Sequence, residues 1–173
     1  VTEQGLIKFF MHDLGGQGCI DMKNELTEEN TLSVIPFTSK RKRASIVIRY
    51  PENAGTDKEV RVFCKGAPDM LFDLTETILC PGGKTQTLSD SAPAPQELLN
   101  PGEAPGTSIT NKELLERTVK TFANEAYRTL LITYRDMSMS DYNKLKVENN
   151  NFLKENDRGI LEQNLTAIAI FGL

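Results

Sequence analysis

The chain has 173 residues, of which 39% are hydrophobic and 25% charged, and its net charge is −4; one soluble domain of this length can bury its own core, and disorder or fibre bias is excluded. A negative balance argues against a dedicated nucleic-acid binder, which carries a basic excess, so any anion site must be local. No stretch reaches the roughly 18–20 consecutive apolar residues of a membrane span, and the N-terminus lacks a signal-peptide pattern. Val1 does not read as a natural start, and the chain is expected to be one domain, residues 1–173, taken from a longer protein.

Residues 2–14 are predicted as a helix: Leu6, Phe9, Phe10 and Leu14 recur at three-to-four-residue spacing, Thr2 suits the N-cap, and Gly15-Gly16 stops it. A glycine-rich polar connection follows to residue 21. Residues 31–37 read as a strand. The basic run Lys40-Arg41-Lys42-Arg43 then leads into a second strand over 44–50, Ala-Ser-Ile-Val-Ile-Arg-Tyr. A turn at 51–57 and a strand over 58–64 complete an antiparallel hairpin. Gly66 is expected to make a tight turn and Pro68 to open a helix over 67–74, leaving Lys65 at the end of a strand beside a sheet face. A short strand is predicted at 75–80. Residues 81–110 are rich in Pro, Gly and Ser; Pro93, Pro95, Pro101 and Pro105 argue against regular structure, and the segment reads as a mobile surface insertion. Beyond it come a helix over 111–125, a strand over 129–135, a charged amphipathic helix over 140–156 and an almost wholly apolar strand over 165–171. Hairpins flanked by helices indicate an α+β fold, an antiparallel β-sheet with helices packed over it.

Several chemistries are excluded. Cys19, Cys64 and Cys80 are odd in number and lack C-x-x-C spacing, which fits free thiols in a reducing compartment and no zinc site. His12 is the single histidine, so neither a His-rich metal centre nor a serine triad with a G-x-S-x-G elbow can be assembled. Neither G-x-x-x-x-G-K-[ST] nor G-x-G-x-x-G is present.

Four separated segments carry a resemblance. They are Thr2-Glu3-Gln4-Gly5-Leu6; Pro36-Phe37-Thr38-Ser39-Lys40-Arg41-Lys42-Arg43-Ala44-Ser45; Lys65-Gly66-Ala67-Pro68-Asp69; and Tyr127-Arg128-Thr129-Leu130 with Tyr134-Arg135-Asp136. In order and spacing they resemble the nucleotide-binding domain of P-type ATPases, the cation pumps that form a phospho-aspartate. The final Leu165-Thr166-Ala167-Ile168-Ala169-Ile170-Phe171-Gly172-Leu173 resembles the strand returning to the phosphorylation domain. The Phe-Thr-Ser-x-Arg-Lys spelling leans to the plasma-membrane calcium class, which carries a small residue where Ser39 stands. Ala44 replaces a frequent methionine, Tyr127 replaces the usual small-apolar pair before Arg128, and the 81–110 insert has no counterpart.

The resemblance implies an ATP site, with Mg²⁺ accompanying ATP in the intact pump. Phe37 offers a ring for adenine to stack on, an interaction worth roughly 1–3 kcal/mol for base–aromatic pairs. Lys42 and Lys65 are compact cations for the anionic side of the ligand, and Arg128 can fork onto phosphate oxygens. Glu3 is placed to accept from the adenine amino group, and Gly66 completes the set. Lys40, Arg41 and Arg43 are expected to be surface charge, since strand alternation sends only part of the run to one side. No catalytic residue is expected, because the Asp-Lys-Thr-Gly-Thr motif of the phosphorylated aspartate is absent. The implied partners are ATP and the phosphorylation and actuator domains of the same pump, with no nucleic acid and no membrane contact by this monomeric, cytosolic domain; the plasma membrane is favoured over the endoplasmic reticulum. The rival reading is a non-catalytic interaction module whose basic strand edge docks acidic partners or anionic lipid.

Overall fold

The computed structural model describes residues 2–12, 28–50 and 58–173, together with Gly16 and Gly18. The predicted end of the first helix at Leu14 and Gly15, the connection to residue 21 and the turn at 51–57 lie outside these residues. The elements are α1 (Thr2–His12), β1 (Thr31–Ile35), β2 (Arg43–Arg49), β3 (Val60–Gly66), α2 (Pro68–Leu71), β4 (Thr75–Leu79), β5 (Thr85–Thr87), β6 (Ser91–Pro93), β7 (Ser108–Thr110), α3 (Asn111–Asn124), β8 (Thr129–Met137), α4 (Met139–Glu148) and β9 (Leu165–Gly172). Seven strands form one sheet in the order β1-β2-β3-β8-β9-β4-β5, and β6 and β7 form a separate pair. Every pairing is antiparallel except that of β4 with β9. The fold is thus an α+β sheet with flanking helices.

Alternation of residue type decides which side of the sheet is covered. Along β3, Val60, Val62 and Cys64 are buried while Arg61, Phe63 and Lys65 are only partly so. Successive side chains leave opposite faces, so one face is core and the other stays half open. The core face carries Ile35, Val47, Val60, Val62 and Met137 against Tyr142 of α4, Phe152 and Leu161. Beside it Cys64, Leu131, Leu165 and Ala167 pack with Leu71 of α2 and with Leu115 of α3. Truncating a fully buried leucine such as Leu131 to alanine costs about 2–5 kcal/mol. On the other face α1 packs on the β9 side, where Phe9 and Phe10 meet Phe171 edge-on at 5.7 and 6.3 Å.

Several boundaries differ from the sequence reading, each for a local reason. β1 stops at Ile35, ahead of Pro36, and β2 runs Arg43–Arg49, one residue earlier than expected. β3 continues through Lys65 to Gly66, because Gly66 pairs on both sides, with Arg43 and with Leu131. Gly66 is therefore a strand residue and not a turn glycine. The 81–110 insert contains three short strands, with Pro93 at the end of β6, an edge position where its missing N–H does no harm. It is tied down by Ala94 N–H donating to the Thr107 carbonyl at 2.8 Å and by Arg117 forking onto Glu103 at 2.6 and 3.0 Å. The helix expected to reach residue 156 ends at Glu148, where Asn150, Asn151 and Phe152 take positive φ, after which Glu155–Glu162 is a 3₁₀ segment. Asparagine tolerates that left-handed region far better than most residues.

Candidate functional site

Lys65 sits near the middle of the half-open face. Its neighbours across the ladder are Ala44 on β2 and Ile132 on β8, and Ala169 stands beyond Ile132 on β9. The next rung is Ile46, Phe63 and Tyr134. The two alanines leave a shallow floor along which the lysine stem can lie with its ammonium outward. At one end of the trough Arg61 forks onto Asp136 at 2.6 and 2.7 Å and lies over the Tyr134 ring at 4.4 Å, forming a fixed wall. Cys64, behind Lys65, faces the core, where burial pushes its thiol up to about 11.

The turn between β1 and β2 carries the next candidates. Phe37 is 62% exposed, an unusual setting for an aromatic ring. Lys42 N–H donates to the Thr38 carbonyl at 2.7 Å, and the Lys42 carbonyl accepts from Ala67 N–H at 3.0 Å. Lys42 has φ of 49°, a conformation uncommon for a lysine. Its ammonium lies 3.9 Å from Asp69, with both side chains more than half exposed, so that pair contributes little. A Cβ on Gly66 would stand 2.5 Å from Arg43 Cβ and 2.8 Å from the Lys42 carbonyl oxygen. Only glycine admits this approach, and it fastens the turn bearing Phe37 and Lys42 to the Lys65 end of β3.

Arg41 and Arg43 are not surface charge, contrary to expectation. Both are only 15% exposed and converge on Glu162, whose side chain is fully buried. Arg41 pairs with one carboxylate oxygen, Arg43 Nε donates to the other at 2.9 Å, and Ser45 Oγ donates at 2.6 Å. Strand and turn geometry explain this, since residues 41, 43 and 45 turn inward while Lys42 and Ala44 turn outward. Sequence reasoning missed Glu162, which stands in the polar stretch Asn156 to Asn164 with nothing local to mark it as buried. Removing one member of such a buried pair costs about 3–5 kcal/mol, because the other charge is stranded.

Arg128 stands at the far end of the same face. Its N–H donates to the Leu173 carbonyl at 2.9 Å and Leu173 N–H donates back at 2.9 Å, which prolongs the β8–β9 ladder by one rung. Arg128 is exposed and has the parity of Leu130 and Ile132, four residues or about 13 Å along the strand from Lys65's partner. A Cβ built on Gly5 of α1 would stand 3.5 Å from Leu173 Cδ2, so α1 passes close to Leu173, the residue that pairs with Arg128. Glu3 belongs to the first turn of α1, and its side chain lies outside the described residues. A cavity of about 360 Å³ that shares Asp136 with the wall of the trough, lined also by Lys58, Arg135, Asp141, Lys144 and Glu148, contains none of Glu3, Phe37, Lys42, Lys65, Gly66 and Arg128.

The family model described as "P-type ATPase, cytoplasmic domain N" matches residues 1–95, more than half of the chain. Calcium-transporting ATPase 4, plasma membrane-type, of Arabidopsis thaliana is 29% identical over 136 residues, 79% of this chain and 10% of the relative. A second plasma membrane-type calcium-transporting ATPase of that plant is 27% identical over 172 residues, 99% of this chain and 13% of the relative. Phospholipid-transporting ATPase IC of Xenopus tropicalis is 27% identical over 122 residues, 69% of this chain and 7% of the relative. The chain spans about a tenth of the length of these curated relatives.

Proposed function

The chain belongs to the P-type ATPase family as its cytoplasmic domain N, and from that premise we propose that the half-open sheet face binds ATP and presents it to a separate phosphorylation domain. The observation that carries this reading is the close approach at Gly66. Segments 36–43 and 65–69, far apart in sequence, are pinned together, which brings the turn bearing the exposed Phe37 and Lys42 to the Lys65 end of β3.

Each residue then has a physical task. Adenine stacks on Phe37, whose ring is already displayed to solvent and costs little to desolvate. Ala44 and Ile132 flank the base, and Lys65 and Lys42 offset the ligand's negative charge. Arg128, at the far end of the trough, forks onto phosphate oxygens. Glu3 is assigned the adenine amino group by the family resemblance, its side chain lying outside the described residues. In the intact pump the γ-phosphoryl group passes to an aspartate carboxylate of the phosphorylation domain and ADP leaves. The whole chain 1–173 acts as one nucleotide-binding module, with the actuator domain as a further partner of the same pump. Calcium is the cargo favoured by the names of the plasma membrane-type relatives, and the plasma membrane the favoured location. The docking-module reading loses much of its basis, because two of the four cations in the basic run turn inward to Glu162.

Calorimetric titration with ATP, AMP and inorganic tripolyphosphate tests the proposal. Saturable binding of ATP and AMP, with tripolyphosphate much weaker, supports it. Tripolyphosphate binding as well as ATP, with affinity collapsing as salt rises, would overturn it in favour of a general polyanion surface.

A further inference from the structure

We infer that Glu162 is a positioning residue for this site: its buried carboxylate sets the turn at residues 36–42 through Arg41 and Arg43. The inference rests on the nucleotide reading above and adds a residue 117 positions beyond Ser45, the end of the segment that bears Phe37 and Lys42.

Connectivity carries the inference. Arg41 divides its guanidinium, one nitrogen pairing with Glu162 and the other donating to the Pro36 carbonyl at 3.0 Å, with Glu155 at 3.5 Å from that second nitrogen. Pro36 directly precedes Phe37, so the carboxylate is joined to the backbone beside the ring through a single side chain. Arg43, the other cation on Glu162, is the residue against which Gly66 closes. The two arginines therefore bracket Lys42, whose left-handed backbone is of the kind that persists only when surrounding bonds over-determine it. The backbone is further held by Arg41 N–H on Thr38 Oγ1 at 3.3 Å and Lys42 N–H on the Thr38 carbonyl. Ser45 Oγ completes the carboxylate's partners from β2.

A cluster that merely stabilised the core would need no link to Pro36 and no pair of arginines on either side of one candidate ligand residue. Buried ion pairs are also a poor way to gain net stability compared with apolar packing, whereas they fix registry well. The clasp thus has a consequence that core packing lacks: breaking it releases Phe37 and Lys42 while the sheet remains.

The test combines amide hydrogen exchange with NMR titration of adenosine, which reports the base contact alone. In folded Glu162→Gln, exchange at the Lys42 amide is expected to quicken through local opening, by a larger factor than the general loss of protection at core amides such as Val62. Adenosine affinity should fall roughly five- to tenfold, a part of what stacking on an aromatic supplies. That loss should vanish in a Phe37→Ala background, because Glu162 acts through the ring. Arg41→Lys, which keeps the charge but loses the fork, should reproduce the phenotype, and Ser45→Ala provides a milder lesion if Glu162→Gln does not fold. Unchanged Lys42 exchange in folded Glu162→Gln and Arg41→Lys would overturn the clasp. A Glu162→Gln loss that adds fully to that of Phe37→Ala would also overturn it. Wild-type protein indifferent to both adenosine and ATP would instead overturn the nucleotide reading, and the Lys42 exchange would still report on the clasp itself.

Discussion

Gly66→Ala probes the contact that assembles the site. The added Cβ would meet Arg43 Cβ at 2.5 Å, the Lys42 carbonyl oxygen at 2.8 Å and Arg43 Cα at 2.9 Å. These atoms are backbone or directly attached to it, so no flexible side-chain tip can move aside. β2 must shift away from the end of β3, which opens the Arg43–Gly66 rung and the Ala67 N–H bond to the Lys42 carbonyl. Overpacking of this kind costs about 1–3 kcal/mol and a lost hydrogen bond about 0.5–1.5. Gly66 does not have positive φ, so alanine fits its backbone conformation and returns about 0.4–1 kcal/mol by restricting the unfolded chain. The net destabilisation is centred on about 2 kcal/mol, which for a domain of this size lowers Tm by roughly 4–8 °C. Thermal and chemical denaturation measure that, and AMP titration of the folded variant should show weakened binding as the Lys42 turn separates from Lys65. A Tm equal to or above wild type, with unaltered AMP binding, would refute the close-approach account and return Gly66 to an ordinary strand glycine.

Three further outcomes follow from the same geometry. Phe37→Ala should weaken ATP, ADP and AMP by similar factors, within the roughly 1–3 kcal/mol of a base stack, and barely change stability, since the ring is 62% exposed; a folded variant binding all three normally would remove Phe37 from the site. Arg128→Ala should weaken ATP and ADP more than AMP, with the difference shrinking as salt rises; equal losses for the three nucleotides would detach Arg128 from the phosphates. In the insert, the fork from Arg117, together with the Asn100 N–H, holds the Glu103 carboxyl down to about 2 against an ordinary 4.5. A depressed folded pKa means that the anchoring is fully present above about pH 4.5 and is lost as pH falls towards 2. Exchange of the Ala94 amide should therefore quicken between about pH 4.5 and 2 relative to Arg117→Met, in which the pH dependence is flattened; matching profiles would contradict the anchor.

How much of this was legible depended on whether the cause was local. β2, β3, β8 and β9 announce themselves as runs of β-branched and apolar residues, and the alternation along β3 already separates Val62 and Cys64 from Phe63 and Lys65. Strand order was not legible: β4 lies beside β9 and parallel to it, a contact between residues about ninety positions apart that no short-range pattern encodes. The overlong helix beyond Glu148 came from following charge periodicity through Asn149-Asn150-Asn151, where the asparagines were the better signal. Prolines in the insert were read as excluding strands, although an edge position accommodates Pro93. At the proposed site, Phe37 and Lys42 were singled out from a local family spelling, and the structure exposes both on a turn. Arg41 and Arg43 were misassigned because the acid that turns them inward lies 119 residues beyond Arg43. A charged run shows its own periodicity, but not which buried partner will select one side of it.

The central claim is that one sheet face, and not another surface of the domain, receives ATP. Mapping backbone amide chemical shifts during an ATP titration tests it most directly. The account predicts that perturbations concentrate at Phe37, Lys42, Lys65, Gly66 and Ala67, extend along β8 to Arg128, and leave the cavity bordered by Lys58 and Lys144 undisturbed. Saturable shifts centred on Lys58, Lys144 and Glu148, with Phe37 and Lys65 unmoved, would contradict it.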